Sequence, residues 1–204
     1  MCSSDLRKLR VDSIGGLVFG TLDPAAPGLE AFLSAPIAAK IRRVFNRKLE
    51  VIGRYTQQMP NNWKLYAENI RDTYHASLLH LFFTTFHINR LSQTGGVIVG
   101  GDGGHHVSYS MTNTGTRGAE YERDRMRSAN AGFGLEAPGL LESVDEIGDG
   151  VTLQILSVFP GFVLQQIYNS LAVRQVVPRG PGRSELMWTC FGYASDDEAI
   201  DRKS

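Results

Sequence analysis

The last third of the chain limits the fold more than any other stretch. Residues 151–159, 162–168, 171–177 and 185–193 are short runs rich in β-branched and aromatic residues, and each reads as a strand. The RGPG tetrapeptide at 179–182 is a hairpin turn between the last two. Strands joined by such short links pair antiparallel, because a parallel crossover needs about a dozen residues or more.

The rest of the chain adds helices to that sheet. Residues 7–22 read as a strand with a turn or bulge at Gly15-Gly16, and 23–28 as a loop. Residues 29–46 have helical spacing interrupted at Pro36, which predicts two short helical pieces. Residues 48–58 look like a strand, 59–62 a turn, and Trp63 to Tyr66 a further strand. From Ala67 to about Phe86 the pattern is helical. Residues 94–105 read as a glycine-rich loop around a short strand, followed by a strand from His106 to Met111. The charged run 117–130 reads as a surface helix, and 131–150 as loop with a short helix near Leu140. The expected class is α+β, an antiparallel sheet with helices segregated to one side.

Composition excludes several functions. Of 204 residues, 42% are hydrophobic, enough for a core and too many for disorder. The 21 basic and 21 acidic side chains cancel, leaving no electrostatic footprint for nucleic acid and no polybasic membrane patch. No apolar run is long enough to span a membrane, and no secretory signal is visible. Cys2 and Cys190 cannot by themselves build a metal or iron–sulfur site. The expectation is a cytoplasmic, enzyme-like chain with incidental thiols.

Chemistry concentrates in residues 61–83, where Asp72, His75 and His80 have the spacing D-x2-H-x4-H. Two neutral imidazoles with a carboxylate nearby are a metal-site pattern. On a regular helix, positions five apart point about 140° apart. A shared metal therefore requires the helix to bend, bulge or end between them. The alternative is two half-buried histidines with no metal. His105-His106, after a glycine loop, sends at most one ring inward, and a pair facing water is the favoured reading. His87 reads as structural. Arg174 shares its strand face with Ala172 and Val176. It either anchors a substrate carboxylate or lies on an outer face.

The string from Asn62 to His80 resembles the catalytic-domain signature of the Rieske-type non-haem iron aromatic-ring-hydroxylating oxygenases, large subunit. Asn62, Trp63, Lys64, Glu68, Asn69, Asp72, His75 and His80 all match it. The segments LRVDSIGGLVFGTLD and VRQVVPRGPGRSELMWTCFGYASDDE extend the resemblance over nearly the whole chain. It implies a START-like helix-grip domain in which His75 and His80 bind a mononuclear iron(II). It implies Asp72 as the bridge for electrons from a neighbouring subunit's Rieske [2Fe–2S] cluster, and Asn69 as a supporting residue. The family's third iron ligand is an aspartate on a later helix, and Asp196, Asp197 and Glu198 do not match its motif. The implied electron source is NAD(P)H, through a reductase and in some members a ferredoxin. The implied assembly is a homo-oligomer, a trimer with or without a β subunit.

The wording is closest to members acting on salicylate, anthranilate or terephthalate, which implies O2-dependent hydroxylation of an aromatic carboxylate. Arg174, Asn169, Gln166 and His106 are the expected substrate-binding residues. Two rivals are a START-like carrier of hydrophobic ligands and a hydrolytic zinc enzyme. The first has no use for the histidine pair, and the second lacks an HExxH base.

The termini carry a separate expectation. Cys2–Asp5 and Asp201–Ser204 can be encoded by one oligonucleotide in its two orientations, and that oligonucleotide matches a common sequencing adapter. Residues 1–6 and 201–204 are therefore expected to lie outside the native protein. Residues 7–200 would be part of a catalytic domain, with the Rieske domain and the third iron ligand elsewhere.

Overall fold

The structure, a computed structural model, describes residues 7–80, 94–111 and 142–196, with the single positions 123 and 136. Apart from position 123, the expected surface helix at 117–130 lies outside the described residues, as do the helical reading beyond His80, the helix near Leu140, His87, Asp197 and Glu198.

Strands β1 (Arg10–Ile14) and β2 (Leu17–Thr21) form a separate hairpin. Its turn is Gly15-Gly16, with φ of 59° and 84°. Positive φ at both central residues is what a tight hairpin turn demands and what glycine adopts without penalty.

The remaining strands are β3 (Leu49–Met59), β4 (Thr94–Gly100), β5 (His105–Met111), β6 (Val151–Val158), β7 (Phe162–Ile167), β8 (Ser170–Pro178) and β9 (Ser184–Tyr193). They make one sheet in the order β3-β9-β8-β7-β6-β5-β4, and every pairing is antiparallel. The meander from β4 to β9 follows the chain. β3 then closes onto β9 at the far edge, an arrangement no local pattern announces. The stretch 94–105, read as loop around a short strand, is a full strand and a tight turn. β4 pairs with β5 along its whole length, and that pairing overrides the low strand propensity of its glycines.

Helices α1 (Leu29–Leu33) and α2 (Ala35–Val44) break at Ser34, whose φ is 67°, two residues before Pro36. Pro36 lies in the first turn of α2, where its missing N–H leaves no bond unmade. Leu33, Ile37, Ala38, Ile41 and Val44 are completely buried against Val107, Leu156, Leu164, Leu171 and Phe191 of the sheet. Each Leu, Ile and Val side chain among them contributes roughly 1.5–3 kcal/mol by leaving water.

Helix α3 (Trp63–Arg71) and the single-turn α4 (Ala76–Leu79) stand over the opposite face. Arg174 and Val173 are strand neighbours and so point to opposite sides. Val173 packs into the α1–α2 core, whereas Arg174 meets Tyr66 of α3. The α+β class and antiparallel sheet are as expected, while the helices divide between the two faces. Trp63 to Tyr66, read as a strand, is the first turn of α3. The Asn62 side chain accepts from the Lys64 N–H at 3.0 Å and caps the helix there.

Candidate metal centre

Asp72 creates the site by ending one helix and starting the next. Its backbone N–H still donates to Glu68 in the helical manner, at 3.0 Å, but its own ψ of 104° is extended. Its Oδ1 accepts from the N–H of Tyr74 at 2.7 Å and of His75 at 3.3 Å. A short acceptor side chain reaching the next two or three N–H groups is the device that competes with a continuing helix. These bonds, the Tyr74 one foremost, hold the Asp72 carboxyl below its ordinary range.

His75 and His80 flank the single turn of α4. His75 is helical at its start, and His80 leaves it with φ −88° and ψ 88°. The helix thus ends between the two rings, and their centroids come to 4.9 Å in an edge-to-face arrangement. A ring nitrogen of His75, Nδ1, lies 2.8 Å from the Asp72 carbonyl oxygen. A carbonyl only accepts, so in the neutral ring Nδ1 carries the proton and Nε2 presents its lone pair. The Asn69 amide nitrogen lies 3.2 Å from that Nε2. Burial, then the neighbouring His75, pushes the pKa of His80 down and favours its neutral, ligating form.

Both rings line a cavity of 170 Å³ between α3–α4 and the sheet. Ile70, Leu153, Ile155 and Ile167 make its apolar walls, and Asn69, Asp72, Ser108, Ser110, Gln165 and Arg174 bring polar groups to it. Arg174 donates through Nη1 to the Tyr66 hydroxyl at 2.6 Å and through Nη2 to Gln165, and stands 4.7 Å over the Trp188 ring.

The other expected substrate residues lie elsewhere. Gln166 points to the α2 side, where it accepts from Arg43 at 2.5 Å and donates to Val151 at 3.0 Å. Its neighbour Gln165 takes the cavity position, because adjacent strand residues face opposite ways. Asn169 pins the loop before β6 through reciprocal 3.0 Å bonds with the backbone of Val144. The His105-His106 pair does not face water, being 2% and 8% exposed. His105 bonds the Phe32 carbonyl at 2.9 Å and packs on the Phe32 ring. His106 shares a face with Ser108 but lies beyond the cavity lining, beside Arg71. Asp196 accepts from the Tyr193 N–H at 2.8 Å and does not line the histidine cavity. Tyr66, Gln165 and Trp188 went unmarked in the sequence, since none belongs to a spaced motif.

The fold and site define a class: an antiparallel sheet with a broken helix that delivers two imidazoles to a ring-sized cavity. Residues 46–202 match the ring hydroxylating alpha subunit (catalytic domain), and the chain belongs to that family. It is similar to the terephthalate 1,2-dioxygenase terminal oxygenase component subunit alpha 2 of Comamonas sp, 58% identical over 97% of this chain and 48% of that protein. It is also similar to the anthranilate 1,2-dioxygenase large subunit of Burkholderia cepacia, 43% identical over 94% of this chain and 45% of the other. Among solved structures, naphthalene 1,2-dioxygenase from Rhodococcus sp. bound to indole shares the fold, with a TM-score of 0.70 at 21% identity over 96% of this chain and 47% of that one. The chain spans about half the length of these relatives.

Proposed function

We propose that the chain forms the mononuclear-iron part of an oxygenase that hydroxylates the ring of a small aromatic carboxylate. The observation that carries this reading is the placement of two imidazoles, one with Nε2 held as a lone-pair donor, in the same cavity as an arginine. The donors fit two of the three protein ligands of a two-histidine, one-carboxylate centre. Among the described residues no group of three metal-binding side chains gathers. His75 and His80 would hold iron(II), which when bound supplies the activation of dioxygen.

The chain's own residues do the rest. The Asp72 carbonyl fixes the His75 tautomer and so aims Nε2. The aliphatic walls exclude water and orient an aromatic ring. An apolar cavity of about 150 Å³ holds benzene, so 170 Å³ suits one ring. Arg174 supplies the anchor for an anionic substituent. Support comes from the names of the relatives: terephthalate, anthranilate and salicylate are ring carboxylates, and 2-aminobenzenesulfonate is a ring sulfonate.

In this reading the electrons start at NAD(P)H and pass through a reductase, with a ferredoxin in some systems. They reach the site from a Rieske [2Fe–2S] cluster of a neighbouring subunit in a cytoplasmic homo-oligomer, a trimer with or without a β subunit. Asp72 suits the crossing point, because its carboxylate is 49% exposed while its Oδ1 is committed to the turn. Among the described residues no helix is long and apolar enough to cross a membrane.

The test is anaerobic iron(II) loading followed by metal analysis. Uptake of one iron per chain that requires both His75 and His80 is expected. Uptake that survives replacing both histidines by alanine would overturn the assignment.

A further inference from the structure

Arg174 is surrounded in an unusual way. Its guanidinium has five N–H donors and one positive charge. Tyr66 on α3 takes a hydrogen bond from Nη1, Gln165 on β7 takes one from Nη2, and the Trp188 ring of β9 covers one face. All three partners are neutral. Among the described residues no carboxylate forms an ion pair with Arg174, although Arg42, Arg43, Arg47 and Arg179 each have one. The Arg174 Nε is buried with no hydrogen-bond partner. A half-buried cation without a counter-charge is costly unless an anion arrives to satisfy it.

Gln165 is the residue that keeps the charge open. It lines the cavity beside Arg174, on the same strand face as Ile167. An amide oxygen orients the guanidinium as a carboxylate would, without neutralising it. Tyr66 does not line the cavity and acts through Arg174. It belongs to the helix that also carries Asn69 and ends at Asp72, so it ties the cation to the element whose end sets up the histidine turn.

We propose that Gln165 determines the charge selectivity of the cavity, and that Tyr66 is a positioning residue that holds the Arg174 guanidinium toward a bound ring carboxylate. The inference deepens the proposed function and rests on its assignment of Arg174 as the anchor. The neutral pair Gln165 and Tyr66 aligns the fork, Trp188 limits its tilt, and the free N–H groups meet the anion.

The test measures binding of benzoate and of benzamide to the whole protein by calorimetry, in the parent and in Arg174→Leu, Gln165→Glu and Tyr66→Phe. Benzamide has the same shape without the charge. Gln165→Glu places a carboxylate on Arg174 and is expected to weaken benzoate at least roughly 30-fold, in line with the several kcal/mol of like-charge placement. It should leave benzamide within about 2-fold. Tyr66→Phe, which keeps the ring and the packing, should weaken benzoate by roughly 3- to 10-fold, as for one hydrogen bond to a charged group, and spare benzamide. If Arg174→Leu weakens benzoate selectively while Gln165→Glu and Tyr66→Phe bind both probes like the parent, the inference is overturned and the anchor stands. If Arg174→Leu affects the two probes equally, the anchor falls and this inference with it. Should Gln165→Glu not fold, Tyr66→Phe still decides the positioning role and Gln165→Met the need for a polar acceptor.

Discussion

The rings of His75 and His80 stand edge to face, 67° between planes and 4.9 Å between centroids, although they are five positions apart in the chain. The pairing exists because α4 is only Ala76–Leu79, so the chain turns once and then leaves the helix at His80. Replacing either histidine by alanine is expected to lower the affinity for iron(II) or cobalt(II) by roughly 100-fold or more, beyond the loss typical of an outer-shell residue. Calorimetric titration under argon checks this. A His80→Ala protein with parent affinity would dismiss the pair as a metal centre.

Asp72 has two separable tasks, one in the turn and one in its charge. Asn at position 72 retains an oxygen for the N–H groups of Tyr74 and His75, whereas Ala does not. Asp72→Asn should therefore keep metal affinity within about 3-fold, and Asp72→Ala should lower it by roughly 10-fold as His75 loses its orientation. Electron delivery from a Rieske partner should fall in both. Equal metal affinity in all three proteins would remove the turn from the account of the site.

Helix α3 begins where Asn62 caps it, and the same side chain donates to the Pro181 carbonyl at 2.9 Å in the β8–β9 hairpin. Asn62→Ala is expected to cost about 1 kcal/mol in denaturant unfolding, the usual cost of losing such a cap. A change within error would mean that tertiary packing alone sets the start of α3.

Arg43 and Asp149 give the fold an acid limb. The guanidinium grips both carboxylate oxygens, Nε on Oδ2 at 2.5 Å and Nη2 on Oδ1 at 2.7 Å. Those bonds hold the Asp149 carboxyl below its ordinary 3.8. A carboxyl depressed in the folded state contributes stability above its unfolded pKa, and that stability fades as pH falls through the folded value. Asp149→Asn should cost about 1 kcal/mol at pH 7, a small figure because Asp149 is 39% exposed and water screens the pair. Its unfolding free energy should also fall less steeply than the parent's below about pH 4. Parallel stability curves in acid would show that the pair is not titrating with folding.

Short-range patterns carried much of the fold. The glycines at 15 and 16, the alternation from 151 to 193 and the interruption near Pro36 each appear as expected, because each depends on neighbours in the chain. The spacing of His75 and His80 called for a bend, a bulge or an end of the helix if they share a metal, since about 140° of separation is inherent to about 3.6 residues per turn, and the helix ends. Residues 63–66 misled because Trp63 and Tyr66 favour strands in isolation, and the cap at Asn62 decides otherwise. Only the tertiary structure selected Gln165 over Gln166 for the cavity. In Phe-Val-Leu-Gln-Gln-Ile both strand faces carry apolar and polar residues, so the sequence holds no preference. The choice follows from the register of β7 between β6 and β8 and from α2 occupying one face while α3 occupies the other. That is a sum over contacts distant in sequence. The meeting of Tyr66, Gln165 and Trp188 around Arg174 has the same origin, since no spacing rule links one helix and three strands until the sheet has assembled.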